Sequence, residues 1–536
     1  MSDTQPVTET AVSHRQQVMR AAGVVGLAFL LSRLVGLVRD VISKNYLGLT
    51  TAATAYEAAQ RFPESIFLIV AGGAIGSAFI PTFAAYFERD DEPGAWRLFS
   101  AVINLTLLAT TLISLLTFLF ARPFTLFFLN ELVANDPQLL TLTVALMRVM
   151  LLSSIIFGAS GVVMGTLNAR QHFLLPALAP IVYNLGIILG AILWPTGTWD
   201  FGKEMGMALG TLVGALGHLL VQIPGLRQKQ ARYTPIFTLH DPGVRQVLKL
   251  MAPRVLGLSF SEVNKFATLF LSGLMPPETY PALILAWRIM IMPQGFLGQA
   301  MGTAAFPTLA SLAARKALDE MRQILADSLR MLLFLGLPAS ILLMTLRQPI
   351  IRVLFERGVF SAQDTLLVAW ALLFYGLGLA ALTALEVISR AFYALNDTLT
   401  PVLAGGAQIG FMVVLSYWLS QRAFPAWGLL AAGGLALGYS LSNFLEAGLL
   451  LLLLRRKMGG LNGRFLLDGF WRMGTAGVGM AVVMELGWRM LPGQAAFWTL
   501  LAVGGLGGVI YLGLCWLFQV KEMRWLWGMV QRRGKW

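Results

Sequence analysis

Charge is what this chain has least of. Asp, Glu, Lys and Arg make up 12% of its 536 residues, whereas 57% are hydrophobic and the mean hydropathy is +0.70. Soluble domains carry about twice that charge, because a surface in water needs it. A soluble enzyme of two or three domains is excluded, as is a disordered chain; most of this sequence must have lipid as its solvent. The lone Cys515 rules out an intrachain disulfide framework and a cysteine-rich metal site. His14, His172, His218 and His240 are scattered, with none at H-E-x-x-H spacing, so no metal ligands are assigned. No G-x-x-x-x-G-K-[ST] run occurs, which removes an ATP-binding loop of the chain's own, and no cofactor is expected. The connections are short and pair no nucleophile with a base, which argues against an enzyme. The lack of a filter-like glycine loop argues against a channel.

What is abundant is apolar sequence in helix-length runs. A helix needs about 20 such residues to cross the hydrocarbon. Runs bounded by charge, proline or glycine give fourteen: 21–45, 55–86, 98–120, 138–167, 172–194, 203–224, 246–272, 280–311, 323–346, 365–395, 400–420, 426–454, 468–490 and 495–519. The second is the weakest, since it holds Glu57, Arg61, Pro63 and Glu64. The polar start ends in Arg15 and Arg20, and the apolar run after it continues to Asp40 without a cleavage site. It reads as a tail and a first membrane helix, not a leader. The net charge of +13 then records orientation and needs no nucleic acid to explain it. With both termini cytoplasmic, inner segments hold about three times the Lys and Arg of outer ones (Lys44 among them).

An internal echo divides the chain. Gly72-Gly73-Ala74-Ile75-Gly76-Ser77-Ala78-Phe79-Ile80-Pro81-Thr82 reappears without a gap as Gly298-Gln299-Ala300-Met301-Gly302-Thr303-Ala304-Ala305-Phe306-Pro307-Thr308, and Asn168…Pro176 is echoed by Asn396…Pro401. The copies lie six spans apart, so the halves share one orientation, as in transporters that bind substrate between parallel repeats. The expectation is an all-α integral membrane protein with 14 transmembrane helices, in two pseudo-symmetric six-helix lobes plus two extra C-terminal helices. Its parts are a cytoplasmic tail (1–20), an N-lobe (21–224), a cytoplasmic linker (225–245), a C-lobe (246–455), helices 13 and 14 (456–519) and a basic cytoplasmic tail (520–536).

Eight bases fall inside spans: Arg33, Arg39, Arg61, Arg148, Arg254, Lys265, Arg288 and Arg330. Such residues are costly in lipid and usually face a cavity, although Arg254 and Arg330 are near enough to an interface to snorkel. Arg33 and Arg39 differ by about 240° in azimuth and about 9 Å in height, so they form no flat stripe but can share a deep cavity. Asp40 either orients Arg39 or neutralises it. The repeat offset lands Arg39 on Lys265 and Arg61 within one residue of Arg288, which duplicates the basic positions and suits an anion. Glu57 with Arg61 and Glu262 with Lys265 have helix-pair spacing; they are structural pairs or a proton or cation relay.

The run from Ser32 to Asp40, Ser-Arg-Leu-Val-Gly-Leu-Val-Arg-Asp, resembles the first-helix signature of the MurJ (MviN) lipid II flippases. These belong to the multidrug/oligosaccharidyl-lipid/polysaccharide exporter superfamily. The resemblance continues in Gly73 to Pro81, in Ala286-Trp287-Arg288 with Gly295 to Pro307, in Leu354 to Phe360 and in Ala391 to Val402, covering roughly residues 20–455. It implies a flippase of the bacterial cytoplasmic membrane that carries lipid II outward by alternating access. The family's cationic cavity residues would fall on Arg33, Arg39 and Arg288, with Asp40 beside them; Arg61 and Lys265 complete the candidate substrate-binding set. Two departures stand out: Thr54-Ala55-Tyr56 lacks the family's acid, and Phe67-Leu68 precedes Ala71-Gly72-Gly73-Ala74 where many members have an Arg pair. Arg61 is expected to make up part of that charge. By resemblance, helices 13 and 14 form a groove for the prenyl tail, and cell-wall synthesis enzymes are expected partners. With no ATP site, membrane potential or a cation gradient is the expected energy source. The competing expectations are an exporter of another polyprenyl-linked glycan, a drug/cation antiporter of the same superfamily, and a non-transporting scaffold.

Overall fold

The computed structural model describes residues 7–195, 202–490 and 496–523, without the side chains of 7–25, 29, 71–75, 77 and 496. Most of the basic tail expected at 520–536 therefore lies outside the described residues. Among the described residues the secondary structure is helical, with no strand. The chain forms two compact units, Met1–Pro277 and Glu278–Trp536.

The first unit contains α1 (Val7–Leu47), α2 (Thr51–Phe67), α3 (Gly73–Phe87), α4 (Glu92–Leu119), α5 (Ala121–Phe128), α6 (Asn130–Asn135), α7 (Pro137–Ala169), α8 (Leu174–Leu193), α9 (Lys203–Leu220), α10 (Ile223–Gln228) and α11 (Pro242–Ser272). Helix α1 starts at Val7, inside the expected polar tail, because nothing from Val7 to Ala22 breaks a helix. The second expected span is two helices. A π-helical turn at Leu68–Gly72, just before Gly73, separates α2 from α3. Helix α2 is buried almost all round, from Ala53 to Ile66, which is why its charges left it the weakest span in the sequence. Helices α8 and α9 approach at backbone distance through Gly186, Gly190, Gly206, Gly210 and Gly214; a methyl on Gly186 would meet Gly214 N at 2.6 Å and Gly210 O at 2.7 Å. Small residues permit this approach where lipid offers no hydrophobic drive. Phe79, Phe83, Trp96, Phe99, Val162 and Val247 form an aromatic-rich core.

The expected linker is not loose. After α10 it runs extended along α4: Ser100 Oγ accepts from Thr234 N (3.1 Å), Asn104 Nδ2 donates to Ile236 O (3.0 Å), and Tyr233 Oη donates to Asn104 Oδ1 (2.9 Å). Asp241 then caps α11 by accepting from Gly243 N and Val244 N. Helix α11 packs on α3 within the first unit, although the expected division puts it at the head of the C-lobe.

The second unit contains α12 (Thr279–Ala314), α13 (Leu318–Thr345), α14 (Arg347–Phe355), α15 (Ala362–Ala394), α16 (Leu399–Trp418), α17 (Phe424–Ala426), α18 (Ala431–Met458), α19 (Gly463–Met490) and α20 (Ala496–Leu517). Its packing scheme repeats that of the first. Helix α2 on α7, α4 on α7, α7 on α9 and α8 on α9 have their counterparts in α12 on α15, α13 on α15, α15 on α18 and α16 on α18. Leu309, Leu325, Ile388, Phe392, Leu450 and Met458 form its core. The Asn396-Asp397-Thr398-Leu399-Thr400 turn also has a physical basis. Asn396 takes φ 58°, which closes α15, and Asp397 accepts from Thr400 N (3.0 Å) and Lys457 Nζ (2.6 Å). Helices α19 and α20 pack on each other and on α13.

Over their described residues all fourteen expected stretches are mainly helical. Ten described helices are long and apolar enough to cross a membrane; α11 and α19, with their charges, and the α2–α3 pair, with its break, fall short of that measure, and part of the apolar run of α1 lies outside the described side chains.

Candidate functional site

Helix α1 shows which way its arginines point. Leu27, Leu30, Leu31, Leu34 and Val38 are 46–69% exposed and form one open apolar stripe. By helix geometry Arg33 and Arg39 lie about 120° to either side of that stripe, and Asp40 about 140° from it. The two guanidinium groups are thus turned off the apolar face. Arg33 is half-buried, Arg39 is 17% exposed and Asp40 is buried.

Arg39 is held from two helices. Its Nη2 and Nε donate to Asp40 Oδ1 (2.7 and 3.1 Å), and its Nη1 donates to Asn184 Oδ1 on α8 (3.0 Å). Asn184 Nδ2 in turn donates to Pro180 O (2.9 Å), and its amide lies over Gly36, where α1 and α8 pack. Of the two roles left open for Asp40, the contact supports both: it offsets the charge and it fixes the guanidinium plane. Asn184 was missed in the sequence. An Asn in an apolar helix is a weak signal until its 145-residue separation from Arg39 is closed by the fold.

The other basic candidates of the first unit sit in ion pairs. Arg61, buried on α2, pairs with Glu64 (3.2 Å). Lys265 donates to Glu262 on its own helix, and Ser65 of α2 donates to the same carboxylate, which ties α2 to α11. Lys265, expected in the C-lobe, therefore belongs to the first compact unit. A further pair corrects the sequence reading: Lys44, assigned to an outer connection, is 1% exposed and bonds Glu57 (3.2 Å). Gly48, at φ 55°, turns the chain back so that α1 and α2 can present these two residues to each other.

In the second unit, Arg288 is half-buried on α12, after Trp287. Two turns further on, Gln294 Nε2 donates to Glu386 Oε1 on α15 (3.2 Å), and Glu386 Oε2 accepts from Arg390 Nη1 (2.9 Å). Arg390 lies inside α15, within the expected span 365–395; Gly302 gives its guanidinium room and Gly298 makes room for Glu386. The second copy of the glycine echo is thus a seat for an ion pair. Arg330, expected to snorkel, is instead 1% exposed. Its Nε and Nη2 engage Glu522 Oε1 and Oε2 (2.5 and 2.9 Å), and its Nη1 donates to Phe465 O (2.7 Å). Arg254 is exposed on α11, and Arg148, also exposed, lies over the Phe118 ring. His218 is buried and bonded to Ser160 Oγ (2.7 Å). Among the described residues no group of three or more His, Cys, Asp or Glu is placed to hold a metal.

This arrangement suits an anion that arrives and leaves. A bare guanidinium in hydrocarbon is costly, and pairing lowers that cost until a stronger anion competes for its N–H groups. Arginine forks bind phosphate oxygens in pairs, which a lysine cannot do.

Comparison with known proteins agrees with this chemistry. The profile of the family described as Lipid II flippase MurJ matches residues 43–497. A protein named probable lipid II flippase MurJ from Bdellovibrio bacteriovorus is 28% identical over 521 residues, covering 95% of this chain and 96% of its own. One of the same name from Vibrio cholerae is 30% identical over 451 residues, covering 82% and 83%. A solved structure titled Lipid II flippase MurJ, inward closed conformation, matches with TM-score 0.72 at 23% identity over 94% of this chain and 99% of that one. An inward-facing multidrug resistance MATE family transporter of the MOP superfamily matches with TM-score 0.67 at 16% identity over 80% and 94%. These two structures show a shared fold. The profile spans most of the chain and both relatives cover more than four fifths of it: this multi-pass membrane protein belongs to the MurJ family of lipid II flippases.

Proposed function

We propose that this chain carries lipid II, an undecaprenyl-pyrophosphate-linked peptidoglycan precursor, from the cytoplasmic to the outer leaflet. The observation that carries this reading is Arg39, turned off the apolar face of α1 and held in plane by Asp40 and Asn184. The pyrophosphate is the part of such a lipid that most resists hydrocarbon, and it is the part a guanidinium recognises. Arg39 binds the pyrophosphate as Asp40 yields part of its hold; Arg33 adds charge nearby, and Arg288, on the second unit, is a further phosphate-binding arginine. Arg61 and Lys265, each with a carboxylate partner, set the field around the first-unit site. Both termini are cytoplasmic in this reading, and fourteen helices cross the membrane as two lobes plus a pair. The relatives named lipid II flippases and the doubled packing scheme support it.

Transport is driven by membrane potential or a cation gradient, since outward movement of an anionic head is favoured by about 2.3 kcal/mol per charge per 100 mV. Flipping that proceeds unchanged in proteoliposomes without either would overturn that part. The main test is rescue of a flippase-depleted bacterium. Arg39→Ala and Arg288→Ala should fail at normal protein level, and Arg39→Lys should rescue poorly because it keeps charge without the fork. Normal growth with both alanine variants would reject the site. A deletion strain that loses drug resistance rather than cell-wall synthesis would favour the antiporter reading.

A further inference from the structure

The second unit holds a groove that none of the arginines assigned to transport lines. The ends of α13 and α19 and the flank of α15 border an open groove of about 570 Å³. Its walls are apolar: Met344 on α13, Leu373 on α15, and Val482 and Leu486 on α19. The last two repeat at helical spacing and are 52% and 50% exposed, and Val478 continues their face one turn further along. Its rim is cationic. Arg347, the first residue of α14, has its Nη1 on Met344 O (2.5 Å), and Arg489 has its Nε on Glu485 Oε1 (2.8 Å). Each arginine is anchored by one nitrogen, so the rest of its fork remains on offer. Two arginines against one glutamate leave a single positive charge over an apolar trough. The trough opens where α13, long and apolar enough to cross a membrane, ends, which is the depth at which lipid headgroups lie.

From this charge complementarity we infer that the groove binds one anionic glycerophospholipid. Its phosphodiester lodges between Arg347 and Arg489, and the start of an acyl chain lies along Leu373, Val482 and Leu486. Glu485 tempers the site: it orients Arg489 and removes one unit of the positive charge that a headgroup would otherwise meet. The inference does not rest on the flippase reading and holds whatever the main site transports.

The test uses full-length protein, delipidated in neutral detergent and titrated with short-chain phosphatidylglycerol, with phosphatidylcholine, or with inorganic phosphate alone. Bound lipid is read by native mass spectrometry, and stabilisation by the thermal midpoint. Phosphatidylglycerol should remain bound and raise the midpoint more than the other two. One basic residue near a lipid surface is worth about fivefold in binding, so the double variant Arg347→Gln/Arg489→Gln should bind about 25-fold more weakly. Glu485→Gln should bind several-fold more tightly, an outcome that misfolding does not produce. Equal binding of phosphatidylcholine, an equal shift with inorganic phosphate alone, undiminished binding by the double variant, or weaker binding by Glu485→Gln would each overturn the inference.

Discussion

Removing the negative charge of Glu522 should unfasten the end of the described chain from α13. Arg330 is 1% exposed and spends its Nε and Nη2 on the two oxygens of Glu522, in a fork-to-fork pair. Phe465 contributes a carbonyl at 2.7 Å and a ring 4.1 Å from the guanidinium carbon; Asp468, 47% exposed, stands 3.8 Å away. A Glu522→Gln substitution leaves a buried guanidinium with only that partner and a carbonyl. Breaking a buried pair from one side costs about 3–5 kcal/mol. Asp468 offsets part of this, so we expect about 3 kcal/mol, roughly a hundredfold in the folded-to-unfolded ratio. Replacing both partners, Arg330→Met with Glu522→Leu, should return stability to within about 1 kcal/mol of the parent, because apolar packing substitutes well for a buried pair. With the single variants Arg330→Met and Glu522→Leu added, the comparison is a double-mutant cycle, read by reversible unfolding in mixed micelles. A single substitution costing under about 1 kcal/mol, or a double variant no more stable than Glu522→Gln, would refute the reasoning.

Other consequences are equally concrete. Asn184→Leu should remove the bond that α8 makes to Arg39 Nη1 and lower lipid II transport, while its thermal midpoint stays close to that of the parent; a normal transport rate would show that Asn184 does not position the guanidinium. A methyl at Gly210 would lie 3.0 Å from Ile187 Cα and 3.2 Å from Gly186 C, so Gly210→Ala should cost about 1–3 kcal/mol by forcing α8 from α9, measured by the same unfolding assay. The hydrogen bond from Lys457, followed by that from Thr400 N, holds the Asp397 carboxyl at about 2, below its ordinary value. Its contribution is therefore complete above about pH 4 and lost as pH falls through 2; Asp397→Asn should remove that part of the acid dependence of unfolding, and an unchanged profile would dismiss the pairing.

Some of this was legible in the residues because its causes are local. Apolar runs of helix length mark the helical stretches, and the adjacency of Arg39 and Asp40 foreshadows their pair. The glycine echo anticipates helices that pack by one scheme in both units. What stayed hidden needed the chain to return on itself. Asn184 reaches Arg39 across 145 residues and Glu522 reaches Arg330 across 192, distances over which no periodicity operates. Lys44 looks like a connection residue until the turn at Gly48 presents it to Glu57. Arg390 shows no partner in the sequence until Gly302 is seen to make room for its pair with Glu386. Charge counting alone also misjudges the candidate site, because Arg61 and Lys265 come with carboxylates that absorb much of their field.

The wide turn between α2 and α3 has an effect on everything downstream of it. A π-helical turn holds one residue more than the helix around it. Drawn into regular α-geometry, Leu68–Gly72 would swing the whole of α3 by about 100° and advance it by about 1.5 Å. Phe79 and Phe83 would then leave Trp96 and face other neighbours. The surplus residue acts like a spacer in a threaded rod. Deleting one position there lets four residues in α-geometry span what five span in the wide turn, so α3 should keep its aromatic partners; the aim of half a span depends on how that one turn is wound.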